Sequence, residues 1–257
     1  MTTVQFESED GISYIRLNRP ERYNALDKKM LEDLLEVIEK VENNHDRIVI
    51  LSGNGNAFCA GGDISMMKEF SNQDVFGEIM DTIGLIVRKL YVLNKIVISA
   101  VQGSAAGLGL SLALTADYVI GQNESKFGML FLGVGLAPDG GGHFWLEQRL
   151  GAQRAKQFIW GMKQVQGQVA KSMGLVDILT NKSVVEEATR LGQKLLTTPT
   201  IAMLKTKQMY HSKNVNTLDF YLKEEKNRNG TYEIQQIIRK EFMRFSKKEL
   251  HNLQENR

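Results

Sequence analysis

Two glycine-rich turns and one acid carry the residue types from which chemistry can be built. The first turn is Ala57-Phe58-Cys59-Ala60-Gly61-Gly62-Asp63-Ile64, directly ahead of a helical pattern. The second is Gln102-Gly103-Ser104-Ala105-Ala106-Gly107-Leu108-Gly109, between a strand and a helix. Glycine lets a backbone come close to a ligand, and free N–H groups at a helix start are donors to an oxygen that carries negative charge. Two such turns, giving one donor each, can form an oxyanion hole. Tight helix–sheet packing asks for the same glycines, and composition alone does not separate the two readings. The acid is Asp139, set between Pro138 and Gly140-Gly141-Gly142 at the end of an apolar stretch. A carboxylate there can be desolvated, its pKa raised, and used as a base. The other reading makes it the N-cap of the helix near His143.

Other chemistries fit poorly. Gly107-Leu108-Gly109 lacks a third glycine three residues on, and no acid follows at the distance of about 20 residues where a ribose partner is expected. No Gly-Lys-Ser/Thr is present, which removes a P-loop. His45, His143, His211 and His251 show no paired ligand spacing, so no metal site is expected. Cys59 is the single cysteine, which excludes an intramolecular disulfide and a multi-cysteine metal cluster. Its place in the first turn suits a nucleophile or, more simply, a small buried residue. No serine sits in a Gly-x-Ser-x-Gly elbow.

The elements that must position these residues follow from the pattern. The 257 residues are 42% hydrophobic and 24% charged, ordinary usage for one large α/β domain, or one with a small appendage. Lys+Arg is 32 against Asp+Glu 30, a balance that does not suggest a nucleic-acid coat and leaves open only a local basic patch. The first residues show no secretory pattern, and one cysteine suits a reducing compartment, so a cytoplasmic location is expected. Ile96 to Ala116 holds no charge over 21 residues, long enough to span a bilayer. Its β-branched start, Gln102 and the glycines that follow make it a strand, a turn and a buried helix instead.

Val4–Phe6 and Ile12–Leu17 form a hairpin pattern around Asp10-Gly11, and Asp27 is placed to cap a helix from Lys28 to about Val41. Ile48–Leu51 and Asp117–Gly121 are strand-like, and about Asp74–Leu93 is helical. Beyond His143 helices dominate, with separate segments expected at Thr200–Lys213 and Leu218–Phe245. Ile234, Ile237, Ile238, Phe242 and Phe245 give the last of these an apolar stripe.

As an ordered set these segments resemble the crotonase, or enoyl-CoA hydratase/isomerase, superfamily. The matching pieces are Leu17-Asn18-Arg19-Pro20 with Asn24-Ala25-Leu26, the first turn, and Ala100-Val101-Gln102-Gly103 through Gly107 and Gly109. Ala116-Asp117, Phe127-Gly128, Pro138 with Gly141-Gly142, Leu150-Gly151 and Gly174-Leu175-Val176-Asp177 complete it. The resemblance implies an α/β fold, a crotonase-like spiral of ββα turns with a helical C-terminal trimerisation region. Residues 1–195 would form the core with the acyl-CoA site, and 196–257 a helical region for oligomerisation and pocket closure. It implies an acyl-CoA thioester substrate, with coenzyme A part of the substrate and no further cofactor. It also implies a homotrimer or dimer of trimers, without nucleic acid or membrane. By matching position Gly62 and Leu108 would donate to the thioester oxygen. Ala60, Asp63 and Ile64 would line the adenine and pantetheine side.

The departures from the family pattern decide the expected reaction. Hydratases of this family carry two glutamates, and the matching positions here are Ser111 and Phe131. Asp139 is the acid left in a matching active-site segment, in a Pro-Asp-x-Gly-Gly setting similar to that of relatives that shift a double bond. The resemblance therefore points to an enoyl-CoA isomerase with Asp139 as acid and base. Alternatives are a hydratase using Asp139 with Ser111 and a water, a carrier-linked polyketide decarboxylase or dehydratase, and a non-catalytic acyl-CoA-binding protein. Ser111 and Phe131 are candidate substrate contacts. Met66, Met67, Phe70, Phe76 and Met80 suit either an adaptable acyl wall or ordinary core packing, and His143 has no assigned role.

Overall fold

The computed structural model describes residues 2–66 and 72–231, together with 233, 234, 236, 237 and 240. Its frame is a six-stranded sheet in the order β1 (Val4–Glu9), β2 (Ile12–Leu17), β3 (Ile48–Gly53), β4 (Ile96–Val101), β6 (Tyr118–Gln122) and β9 (Ile178–Thr180). β1 and β2 are antiparallel and every later pair is parallel. Every residue of β3 and β4 is buried, as expected for parallel strands covered on both faces. That burial accounts for the uncharged start of the Ile96–Ala116 run. Among the described residues no helix is long and apolar enough to cross a membrane.

A second, three-stranded sheet holds β5 (Ser104–Ala106), β7 (Lys126–Gly128) and β8 (Val165–Gln166). An isolated parallel bridge joins Cys59 to Ala105, and Ala105 pairs with Phe127. Three successive passes of the chain therefore repeat one unit: a strand in the large sheet, a residue in the small sheet, then a helix. They run from β3 through Cys59 to α2 (Gln73–Val92), from β4 through β5 to α3 (Leu108–Leu114), and from β6 through β7 to α4 (Gly142–Leu150). This is the spiral of ββα turns. Leu51 pairs with Ser99 and Ala100 with Ile120, so β3, β4 and β6 end at one edge, and both glycine turns leave from there. That edge is where open α/β sheets bind ligands.

Asp27 caps α1 (Lys28–Asn43), accepting from Met30 N–H at 2.8 Å. The α1 face of Met30, Leu31, Leu34, Val37, Ile38 and Val41 is buried. It joins the larger core with α2, α3 and α4. On the opposite face of the sheet α7 (Val184–Leu196) covers Ile48, Ile50, Ile96 and Ile98.

The two helices expected after Thr200 are one, α8 (Thr200–Asn229). Asn214-Val215-Asn216-Thr217 are weak helix formers, at about 0.7 kcal/mol each or less, but none of them is a breaker. Leu218 just beyond is fully buried, and tertiary packing overrides propensity. α8 lies against α2 and α4. Of the apolar stripe beyond it, Ile234 packs on the core and Ile237 lies beside Gly135. Ile238, Phe242 and Phe245 fall outside the described residues.

Candidate active site

The first turn is fastened to the second by backbone pairing. Phe58 N–H donates to Gln102 O at 2.8 Å, Cys59 N–H to Ser104 O at 3.0 Å, and Ala106 N–H to Cys59 O at 3.0 Å. Close approach dictates the glycine at 109. A Cβ there would stand 2.4 Å from Cys59 O, so the packing reading holds for this residue. Asn24, fully buried, ties the same turn to the 19–26 segment: its amide donates to Ala57 O at 2.8 Å and accepts from Arg19 N–H at 2.8 Å.

Two N–H groups are left over by this arrangement. Leu26 N–H donates to Gly61 O and Asp63 N–H donates to Leu26 O, each at 2.8 Å. In that parallel bridge the Gly62 N–H between them faces the other way. Leu108 opens α3, where the first N–H groups have no partner within the helix. Its N-cap is Gly107, at φ 52° and ψ −124°, a conformation that favours glycine, and it brings no side-chain cap. Among the described residues neither Gly62 N–H nor Leu108 N–H makes a hydrogen bond.

Both residues line one cavity of about 180 Å³, and so do Ala60, Asp63, Ile64, Phe131 and Asp139. Met66, Ile83, Leu130, Val134 and Leu136 make its apolar remainder. Of the two readings open for Phe76 and Met80, core packing holds: both are core residues of α2. Ile83, one helical turn beyond Met80, reaches the cavity instead. Met67 and Phe70 lie outside the described residues.

Asp139 is not a helix cap. α4 starts at Gly142 with Gly141 as its N-cap, and Asp139 meets the helix through its carbonyl, which accepts from Gly142 N–H at 3.1 Å. Its Oδ1 is buried without a hydrogen-bond partner. Burial, and then the negative charge of Glu225, pushes this carboxyl well above the usual aspartate range. Asp63 is held differently. Burial pushes it up, but hydrogen bonds from Ser65 and the Arg19 guanidinium outweigh that and keep it below the usual range.

Ser111 lies behind the cavity wall. It is fully buried, and its hydroxyl donates to Asp139 O at 2.7 Å. It is not among the residues that line the cavity, and its hydrogen bond makes it a support for the loop. Cys59 is buried, its thiol pushed up to about 12, with Sγ 3.1 Å from Asn24 O. The nucleophile reading therefore falls. Among the described residues no group of three or more His, Cys, Asp or Glu could hold a metal ion.

Sequence reasoning missed two residues of α8. Glu225, 3% exposed, supplies the cap that α4 lacks: its oxygens accept from Gly141 N–H at 2.8 Å and from His143 N–H at 3.3 Å. Its Oε1 also meets His143 Nδ1 at 2.8 Å, which gives His143 its role. Asn229 exchanges two hydrogen bonds with the backbone of Ala137, at 3.0 and 3.1 Å. A signal for both was present. Leu218, Leu222, Glu225 and Asn229 recur at i, i+4, i+7 and i+11, which is the buried face of one helix.

The family model described as enoyl-CoA hydratase/isomerase matches residues 7–256 of this chain. A Bacillus subtilis protein named as an enoyl-CoA hydratase/isomerase, YhaR, is 40% identical over 218 residues, covering 85% of this chain and 86% of its own. The 1,2-epoxyphenylacetyl-CoA isomerase of Escherichia coli is 35% identical over 224 residues, covering 83% and 84%. The crystal structure of an enoyl-CoA hydratase/isomerase from Mycobacterium paratuberculosis superposes with a TM-score of 0.85 at 25% identity, covering 93% of this chain and 98% of that one.

Proposed function

The chain belongs to the enoyl-CoA hydratase/isomerase family, and from that premise we propose that it is an enoyl-CoA isomerase with Asp139 as its single acid and base. One observation carries the reading. One cavity is lined by Gly62 and Leu108, whose N–H groups have no partner among the described residues, and by Asp139, whose buried Oδ1 has none either. The other cavity acid, Asp63, is occupied by Arg19 and Ser65.

In the proposed reaction the thioester oxygen of a 3-enoyl-CoA accepts from Gly62 and Leu108. The Asp139 carboxylate takes a proton from C2. The electron pair spreads over C2 to C4 and the thioester oxygen, where the two N–H groups stabilise the developing charge. The protonated Asp139 then returns the proton to C4, leaving the 2-enoyl-CoA and a carboxylate ready for another turn. A high proton affinity makes the carboxylate a stronger base. Ala60, Asp63 and Ile64 would face the pantetheine side and Phe131 the acyl side. Coenzyme A enters as part of the substrate. Trimeric assembly through the C-terminal region belongs to the same proposal, supported by exposed Ile201, Met209, Tyr210 and Phe220 on α8.

The test is turnover of trans-2- and cis-3-enoyl-CoA in heavy-oxygen water, read by product mass. Double-bond movement without oxygen incorporation is expected. Oxygen in the product would replace the proposal with a hydratase that works without the two glutamates. Binding of both esters without turnover would point to a binding protein or to a carrier-linked substrate.

A further inference from the structure

We propose that Glu225 is a positioning residue for Asp139: its carboxylate fixes the loop that carries the acid and sets a second negative charge behind it. The inference rests on the isomerase reading of the same cavity. Glu225 Oε2 accepts from Gly141 N–H at 2.8 Å, two residues beyond Asp139, and Oε1 meets both the backbone N–H and the Nδ1 of His143. One helical turn on, Asn229 grips Ala137 on the near side of Pro138. Ser111 and the Gly142 N–H hold the Asp139 carbonyl between these clamps. A loop bounded by Pro138 and three glycines would otherwise leave the acid loosely held; here each end is anchored by a side chain of α8.

The charges around the pair show why the second carboxylate acts on Asp139. On α4, His143 faces Glu225, while Glu147 is taken up by the Tyr221 hydroxyl at 2.7 Å. On α8, Lys226 turns away to Asp81 of α2, at 2.7 Å. α3 presents no charged residue, and across the cavity Asp63 is paired with Arg19. Burial holds Glu225 above the usual glutamate range, and the His143 side chain with the N–H groups of Gly141 and His143 offsets part of that rise by favouring its ionised form. With its burial and the Glu225 charge, Asp139 stays protonated to higher pH. Glutamine at this position removes the charge and keeps one of the two acceptor oxygens, which should lower the proton affinity of Asp139 and weaken it as a base.

The test is carboxyl titration of protein labelled with carbon-13 at aspartate and glutamate side chains, with D139N assigning the Asp139 signal. In the wild type Asp139 should titrate above the ordinary aspartate range. In E225Q its midpoint should fall by about one pH unit, and E225D, which keeps the charge, should restore most of it. The acid limb of kcat/KM for the double-bond shift should move down in the same variant, with a plateau lower by about threefold. An unmoved Asp139 midpoint in folded E225Q, or an equal loss of rate at every pH, overturns the proposal. Should E225Q fail to fold, the wild type decides, since an Asp139 signal in the ordinary range overturns the proposal and one above it, with Glu225 ionising at lower pH, supports it. The signals are read without substrate. A protein that shifts no double bond would therefore sink the isomerase reading and leave the titration result standing.

Discussion

Asp63 and Asp139 line the same cavity and are held in opposite ways. Asp63 sits on the first glycine turn with Arg19 at 3.1 Å and the Ser65 N–H at 3.0 Å. Asp139 sits on the Pro138–Gly142 loop with Oδ1 buried and unpaired. The first arrangement lowers proton affinity and the second raises it. A satisfied carboxylate is a structural member, whereas an unsatisfied one costs stability and gains reactivity. Neutralising the two aspartates should therefore have opposite consequences.

The largest effect is expected at Asp139. D139N should lower turnover by about 10²–10⁴-fold while leaving enoyl-CoA ester binding intact, as measured by steady-state kinetics and calorimetric titration. The same variant should be more stable than the wild type near neutral pH. The sign follows from linkage: the folded state keeps the Asp139 proton at pH values where the unfolded chain has lost it. Stability therefore falls as pH rises from the ordinary aspartate range up to the raised value, and is level above it. The advantage of D139N in melting temperature should grow across that window. D63N should instead melt lower than the wild type by about 1–2 kcal/mol at neutral pH. Asp63 is depressed in the folded state, so its contribution is present above the ordinary aspartate range and is lost as acid protonates it. Equal shifts in both variants would break the comparison.

The two turns allow a second test, smaller in rate and sharper in geometry. A Cβ at Gly109 would meet Cys59 O at 2.4 Å, while at Gly62 the nearest atom is Met66 Cε at 3.7 Å. G109A should push the turns apart, with a loss of about 10² in kcat/KM as a donor leaves its position. Overpacking should add about 1–3 kcal/mol of destabilisation. G62A should melt within about 0.5 kcal/mol of the wild type. Thermal melts of the two variants side by side check the pair, and a G62A loss as large as that of G109A would contradict the assignment of space.

What was legible in the sequence follows the same division. The turns and Asp139 announce themselves by residue type, because glycine and a lone acid in an apolar stretch are local signals. The hairpin, α1 with its Asp27 cap and the buried β4 read directly from period and capping. Glu225 is hard to read because its partner Gly141 is 84 residues away. It lies in Lys223-Glu224-Glu225-Lys226, where it looks like any solvated charge. Only the register from Leu218 marks it as inward, and the weak helix formers at 214–217 obscured that register by dividing α8 in two. The role of Ser111 as a loop support is hidden for a related reason. Family position put it at the substrate, whereas the fold turns its hydroxyl to the Asp139 main chain.

The smallest expected effect separates support from chemistry at that serine. In S111A the Asp139 carbonyl loses a donor at 2.7 Å but keeps the Gly142 N–H at 3.1 Å, so no buried acceptor is orphaned. Losing one of two bonds should cost about 1 kcal/mol, a fall of roughly 2–4 °C in melting temperature for a chain of this size. Turnover should drop by only about threefold, since the carboxyl itself is untouched and its loop remains clamped by Glu225 and Asn229. Steady-state kinetics beside a thermal melt decides the matter. A loss of about 10² or more without a change in melting would mean that the hydroxyl reaches a reacting group through a water, in place of its bond to Asp139 O. The hydratase reading would then displace the isomerase one.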